Sequence, residues 1–268
     1  MIKLIICGAC GKMGLRIVAN ALVSDDFKLV GAIDRPGSPE LGKDIGVLAG
    51  LGKDIGVKVS DRLEEVIKEG EVIIDFTNPE STMAHLELAI KHNKAMVIGT
   101  TGFSESRVKK IKELRNKIPC VLAPNMSLGV NLLFKLASET AKVLGNDYDI
   151  EIVETHHRMK KDAPSGTADK LAQVISNSLN RNLKDVAIHG REGISGERKK
   201  DTIGILSVRG GDIVGDHTVM FCGTGEKIEL SHRATNRDTF AIGALRAAKF
   251  LIGKSPKLYD MQDVLGLR

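Results

Sequence analysis

The chain has 268 residues, a formal net charge of +5, 42% hydrophobic and 27% charged residues, no tryptophan and two tyrosines. That length suits one large domain or two modest ones with a real core, and the composition is ordinary for a globular protein in water. Few aromatic rings and dispersed positive charge speak against a base-stacking nucleic-acid platform. No apolar run reaches the roughly 18 residues that span a membrane, and no signal peptide is visible, so no membrane partner is expected and the expected compartment is cytoplasmic. Four cysteines (Cys7, Cys10, Cys120, Cys222) are too few for a disulfide framework at this size.

Ile2 to Ile6 is a short apolar run, followed by Gly8-Ala9-Cys10-Gly11-Lys12-Met13-Gly14 and a helical pattern through Leu22. Strand, glycine turn and helix follow one another. Gly8 permits the tight turn, Gly11 lets the backbone approach a pyrophosphate, and Gly14 lets the helix pack on the strand. A second strand, Lys28 to Ile33, ends at Asp34-Arg35, 20 residues beyond Gly14. An acid there accepts hydrogen bonds from a ribose diol, and an arginine pairs with a 2′-phosphate. The two together point to NADPH or NADH as cofactor, with Lys12 a second candidate for the phosphate. Cys7 and Cys10 have the spacing of a redox pair, but the glycine spacing already explains this loop. Oxidation of the pair is a narrower expectation: it would deform the loop and weaken cofactor binding.

Residues 35–58 are rich in glycine and show no sustained period, which reads as a mobile loop. Leu-Gly-Lys-Asp-Ile-Gly-Val occurs there twice, at Leu41 to Val47 and Leu51 to Val57, too few copies for a stacked repeat. A helix (Asp61 to Lys68), a buried-type strand (Val72 to Phe76) and a helix opened by Asn78-Pro79 follow. Strand Ala95 to Ile98 ends in Gly99-Thr100-Thr101-Gly102. Helix Ser104 to Asn116 leads to strand Cys120 to Ala123, which ends in Pro124-Asn125-Met126-Ser127. Such alternation predicts βαβ units and a Rossmann-like, doubly wound parallel sheet. Ligands of such sheets lie beyond the carboxyl ends of the strands. Gly8 to Met13, Asp34-Arg35, Phe76-Thr77, Gly99 to Thr101 and Ala123 to Met126 are therefore expected to converge on one pocket.

From Ser127 the character changes. A long helix (Ser127 to Leu144), a strand (Asp149 to Glu154), a helix (Thr167 to Leu179) and strands at Gly204 to Val208, His217 to Cys222 and Lys227 to Ser231 predict a second, α+β domain. A last helix, Thr239 to Ile252, has apolar positions suited to packing back on the first domain. Between strand and helix lies Glu154-Thr-His156-His157-Arg-Met-Lys160-Lys-Asp-Ala-Pro-Ser-Gly166-Thr167. It carries two adjacent histidines, three cations within four residues and a helix start, a combination suited to an anionic small molecule. The adjacent histidines point in different directions and do different jobs. Neither a His-Glu-x-x-His pattern nor a cysteine cluster accompanies them, so no metal is expected.

This loop resembles the signature E-x-x-H-H-x-x-K-x-D-A-P-S-G-T of the dihydrodipicolinate reductase family. Gly8-Ala-x-Gly11-x-Met13-Gly14, Asp75-Phe76-Thr77, Val97-Ile-Gly99-Thr-Thr-Gly102, Gly210-Gly-Asp-Ile-Val-Gly215-x-His217 and the closing Tyr259-Asp-Met-Gln-Asp-Val-Leu are similar to that family as well. The resemblance runs essentially end to end. It implies an NAD(P)H-dependent reductase of the diaminopimelate route to lysine, acting on a small dicarboxylate as a homotetramer. Residues 1–126 would form the dinucleotide-binding domain, with 238–268 packing back on it, and 127–237 the substrate-binding and oligomerisation domain. Carried over by position, Gly8, Ala9, Cys10, Gly11, Lys12, Met13, Asp34, Arg35, Gly99, Thr100, Thr101, Ala123, Pro124, Asn125 and Met126 contact the cofactor. His156 and Lys160 handle protons, while His157, Gly166 and Thr167 hold the substrate. Asp34, Pro124, Met126 and Met159 stand where other members carry different residues.

Two rival readings make distinct demands. A nucleotide sensor binds NADPH without substrate-dependent oxidation. An aldehyde-oxidising dehydrogenase needs a cysteine nucleophile in the catalytic loop, and neither Cys120 nor Cys222 has an adjacent histidine.

Overall fold

A computed structural model describes residues 1–114 and 116–268. The chain divides into two compact units, residues 1–128 with 237–268, and residues 129–236.

In the first unit, β1 (Ile2–Cys7), α1 (Lys12–Leu22), β2 (Phe27–Ile33), α2 (Ile45–Leu48), β3 (Val59–Ser60), α3 (Leu63–Val66), β4 (Val72–Asp75), α4 (Pro79–Lys91), β5 (Ala95–Ile98), α5 (Glu105–Glu113) and β6 (Pro119–Leu122) alternate along the chain. The expected helix from Ser104 to Asn116 includes Arg115, which lies outside the described residues. After the second unit the chain returns with α9 (Asp238–Leu251), β12 (Lys257–Tyr259) and α10 (Met261–Leu265). The sheet order is β12-β6-β5-β4-β1-β2-β3, every pair parallel. Strand order therefore reverses between β1 and β4, the switch point at which doubly wound sheets take their ligands.

Helices cover both faces, so central strands read as unbroken apolar runs: Leu4, Ile5, Ile6, Ile73, Ile74, Val97 and Ile98 are all fully buried. Each such side chain contributes about 1.5–3 kcal/mol on burial. α9 packs through small residues, Ala241, Ala244, Ala247 and Ala248, which bring its backbone close to the sheet. A Cβ at Gly243 would sit 1.8 Å from the Met126 carbonyl oxygen. Arg16 of α1 grips Asp238 with two bonds of 2.6 and 2.5 Å.

The segment read as a mobile loop is tied down. Asp44 caps α2, and its carboxylate accepts from the Gly46, Ile55 and Val57 amides at 2.8, 3.1 and 3.0 Å. The aspartate of the first Leu-Gly-Lys-Asp-Ile-Gly-Val copy thus binds backbone of the second. The second copy's Asp54 accepts from the local Gly56 amide at 2.8 Å. Identical heptapeptides take different shapes because the two fold against each other.

The second unit holds α6 (Leu128–Leu144, starting at the boundary), β7 (Asp149–His156), α7 (Gly166–Ser178), α8 (Leu183–Val186), β8 (Ala187–Ile188), β9 (Ile203–Arg209), β10 (Gly215–Cys222) and β11 (Lys227–Ala234). The sheet runs β11-β10-β7-β9-β8 and mixes parallel and antiparallel pairs. Ile150, Ile152, Ile203, Ile205, Val219 and Phe221 pack with residues of α6 and α7. Arg198 secures the long segment before β9, bonding Asp149 (2.7 Å), Glu151 (2.9 Å) and the Ile150 and Thr202 carbonyls (3.0 and 2.7 Å). β7 extends two residues beyond its expected end, which places His156 in the strand rather than in the loop.

Candidate active site

In the first unit the post-strand turns carry the expected cofactor residues. Gly8 has φ +79°, and a Cβ there would lie 2.4 Å from the Phe76 carbonyl oxygen, so only glycine fits. At Gly14 a Cβ would meet the Gly8 carbonyl at 2.0 Å, and at Gly99 the Phe76 ring at 2.2 Å. Gly11 precedes α1 without a side-chain cap, which leaves the first-turn amides available to an anion. The residues present therefore fit a dinucleotide pyrophosphate. Lys12, Arg35, Thr101 and Pro124 are exposed, while Ala9, Thr100, Ala123 and Met126 are buried.

Asp34 accepts from the Ser38 hydroxyl at 2.8 Å. Burial, then the charge and hydrogen bond of Asp34, push the Cys10 thiol up to about 12. Burial and Asp75 push Cys7 well above the ordinary thiol range. Both thiols stay protonated at neutral pH, and a thiol without thiolate character is a poor redox centre.

In the second unit, the alternation that puts Ile150 and Ile152 in the core continues to Glu154 and His156. The same face of one strand thus passes from apolar to ionisable. Glu154 is fully buried and is answered on all sides. Arg209 grips it with bonds of 2.9 and 2.8 Å, the Ser165 amide donates at 3.2 Å, and His156 Nδ1 lies 2.5 Å from Oε2. Burial alone would raise this carboxyl. The hydrogen bonds from Arg209, Ser207 and His156 overcome it and hold Glu154 at about 2.

Glu154 is thus ionised, and His156 Nδ1 must be the donor. Burial lowers the His156 imidazole below its usual value, partly offset by Glu154 and reinforced by Lys160 and Arg209. The ion pair belongs to Glu154 and Arg209, and the imidazole is neutral at pH 7 with its Nε2 lone pair free to take or return a proton. Gly215 borders that nitrogen: a Cβ there would stand 3.0 Å from His156 Nε2.

His217, opposite Glu154 in the β10–β7 ladder, meets the His156 ring edge-on at 5.2 Å. Burial first, then the neighbouring His156, push it down to about 4. Its Nε2 shares a 3.0 Å hydrogen bond with Ser165 Oγ, which also caps α7 by accepting from the Ala168 amide at 3.2 Å.

Lys160 Nζ is paired with both oxygens of the exposed Asp162 at 2.9 and 2.8 Å. Gly166 opens α7 with free space where a Cβ would be, and Thr167 follows in its first turn. His157 Nδ1 is buried without a hydrogen-bond partner, an arrangement that costs about 1–3 kcal/mol unless a ligand completes it.

Glu154, Ser165 and His217 stood in the motifs of the sequence reading without an individual role, and Arg209 stood in none of them. Extending the strand to His156 would have flagged Glu154 by its period-2 relation. Arg209 comes only through register, since it pairs with His156 across β7 and β9, and no local pattern announces that.

Two family profiles cover the chain, one described as dihydrodipicolinate reductase, N-terminus, over residues 2–126, and one as its C-terminus, over residues 129–265. Curated 4-hydroxy-tetrahydrodipicolinate reductases from Geotalea daltonii and Trichlorobacter lovleyi are 51% and 52% identical over 268 residues, the whole of both chains in each case. Among solved structures, a dipicolinate-bound dihydrodipicolinate reductase from Paenisporosarcina sp. TG-14 superposes with a TM-score of 0.79 at 29% identity, covering 98% of either chain. A probable dehydrogenase from Thermotoga maritima, at 11% identity and a TM-score of 0.62, shares the fold alone. With both halves matched and half of all positions identical to full-length relatives, this chain belongs to the dihydrodipicolinate reductase family.

Proposed function

We propose that the protein catalyses the NAD(P)H-dependent reduction of 4-hydroxy-tetrahydrodipicolinate to tetrahydrodipicolinate, in the diaminopimelate route to lysine. The observation that carries this reading is the imidazole of His156, fixed in one tautomer by a buried carboxylate beside a helix start, in a chain similar throughout to curated reductases of that substrate. The first unit then serves as dinucleotide-binding domain, with Gly8 to Met13, Asp34, Arg35, Gly99 to Thr101 and Ala123 to Met126 around the cofactor. Asp34 beside Arg35 supports use of both NADH and NADPH.

The substrate is a cyclic dicarboxylate that becomes a conjugated imine on losing water. Bound reduced nicotinamide supplies the hydride. The ring then carries an electron pair that needs one proton, and in this reading His156 Nε2 delivers it. At rest the imidazole is neutral. Two incoming carboxylates add negative charge, which favours the imidazolium and recruits the proton when it is needed. Lys160 exchanges Asp162 for a substrate carboxylate or shares the proton transfer. The α7 amides at Gly166 and Thr167, with the unsatisfied His157 nitrogen, hold the remaining oxygens.

The face of the second sheet opposite α6 and α7 carries Val153, Leu206, Val208 and Met220, none of them fully buried. This supports assembly through that face into a homotetramer, and light scattering tests it. No described helix is long and apolar enough to cross a membrane, and the proposed role places the enzyme in the cytoplasm.

The test is NADPH and NADH consumption with the freshly made product of the preceding synthase. Lys160→Ala is expected to lower turnover severely while leaving cofactor affinity nearly unchanged. Cofactor binding without substrate-dependent oxidation would identify a sensor instead.

A further inference from the structure

One buried cluster in the first unit lies outside the mechanism above. Asp75, the last residue of β4, is fully buried beside Cys7 of β1 and Ile98 of β5. Its Oδ1 accepts from the hydroxyls of Thr77, Thr82 and Thr100 at 2.7, 2.8 and 2.9 Å and faces the Thr77 amide at 3.2 Å. Its Oδ2 meets His85 Nδ1 at 2.6 Å. Thr100 Oγ1 in turn accepts from the Thr77 amide at 2.9 Å. A single carboxylate therefore ties together the turn after β4, the turn after β5 and the first half of α4.

Between those two turns stands Phe76. Its carbonyl fills the space a Cβ would need at Gly8, and its ring fills that space at Gly99. Fixing Thr77 and Thr100 fixes Phe76, and Phe76 is the common wall of the glycine turn and the Gly99 turn. The cluster also lies at the strand-order reversal, where doubly wound sheets bind ligands.

We propose that Asp75, His85, Thr82, Thr77 and Thr100 form a positioning unit that holds the glycine turn and the Gly99–Thr101 turn in register for the dinucleotide. This rests on the cofactor reading above. Asp75, Thr82 and His85 need not touch the cofactor; Thr82 and Thr100 are buried, with their hydroxyls already engaged. Asp75, His85 and Cys7 also form the sole three-residue grouping among the described residues whose ligand atoms would converge on an ion. The hydrogen bonds explain that convergence without one. Asp75 Oδ1 is taken up by hydroxyl donors, and the Cys7 thiol is held protonated.

Thr82→Val is the discriminating variant. It keeps the shape and removes one donor on α4, away from any surface a dinucleotide reaches. Loss of one bond to a charged group predicts a rise of about ten-fold in the NADPH dissociation constant, with KM for the dicarboxylate unchanged and Thr82→Ser restoring wild-type binding. Deuterated NADPH should show a primary isotope effect altered in Thr82→Val and normal in Thr82→Ser, because a displaced turn misplaces the donor. A lower Tm with wild-type cofactor affinity and isotope effect would make the cluster merely structural and overturn the proposal. One zinc per chain in the purified protein, lost with His85→Ala, would also overturn it in favour of a metal site. If the wild-type protein bound neither NADPH nor NADH, the cofactor reading and this proposal would fall together; a Thr82→Val variant that binds as tightly as a competent wild type removes this proposal alone.

Discussion

Glu154→Gln removes one charge from the second unit with almost no change in shape. A carboxyl held at about 2 against an ordinary 4.5 corresponds to about 3 kcal/mol of preference for the ionised form in the fold. Arg209 is 21% exposed, so water recovers part of its lost partner. The net cost is then about 1.5–2.5 kcal/mol, or roughly 3–10 °C in Tm for a chain of this size.

The consequence for catalysis is larger. A guanidinium only donates, so the glutamine oxygen turns toward Arg209 and its amide nitrogen faces His156 Nδ1. That nitrogen must then accept, the proton moves to Nε2, and the imidazolium would set donor against donor. Turnover is expected to fall by about 10²–10⁴, the range lost with a general acid, while cofactor KM stays within about two-fold. Initial rates across pH, with cofactor titrations on the same preparations, test this. A Glu154→Gln enzyme with wild-type kcat and an unshifted pH profile would refute the orienting role and the tautomer inferred from it.

Gly215→Ala should leave Tm nearly unchanged yet lower kcat by about ten-fold or more, because its Cβ would sit 3.0 Å from His156 Nε2; equal rates would show that the proton leaves by another route. The pH dependence of kcat/KM should show activity falling as pH rises through a value below 6.5, since the proton donor must be charged and burial lowers His156; the limb should vanish in His156→Ala. Stability has its own acid limb. A fold that holds His217 at about 4 favours the neutral ring, so its contribution is complete above about 6.5 and is lost as pH falls toward 4, by about 3 kcal/mol. Glu154 adds a second decline below about 4.5; denaturant titrations at several pH values check both, and His217→Gln should flatten the first. Arg198→Lys should cost about 2–3 kcal/mol in the same assay, because a point charge cannot reproduce its four anchoring partners.

The Rossmann-like half was legible because its signals are local. Buried parallel strands write themselves as apolar runs, and Gly8, Gly11 and Gly14 record close backbone approaches in the residues themselves. The short strands β3 and β12 were missed, since two or three residues carry no period, and they exist by pairing with β2 and β6. The paired Leu-Gly-Lys-Asp-Ile-Gly-Val segments defeated sequence reading for the opposite reason: identical residues adopt different shapes through partners rather than propensity. At the site, His156, His157, Lys160 and the α7 start stood in one motif. Arg209, and the place of the motif residue His217, were not legible there, because strand register brings them to Glu154 from 55 and 63 residues away.

The two units use the same device for different ends. Each buries a carboxylate completely, Asp75 at the end of β4 and Glu154 near the end of β7, and each carboxylate holds a histidine by Nδ1, at 2.6 and 2.5 Å. A buried charge is tolerable only when its lone pairs are answered, so each recruits further donors: three threonine hydroxyls for Asp75, a guanidinium and a backbone amide for Glu154. The donors decide what the histidine becomes. Neutral hydroxyls join turns of backbone and make Asp75 a hub between turns, with His85 one spoke among several. At Glu154 the fixed positive charge of Arg209 neutralises the carboxylate before the imidazole does. His156 is oriented without being locked in the charged state, and an imidazole that is oriented yet free to change its charge is what a proton-delivery step requires.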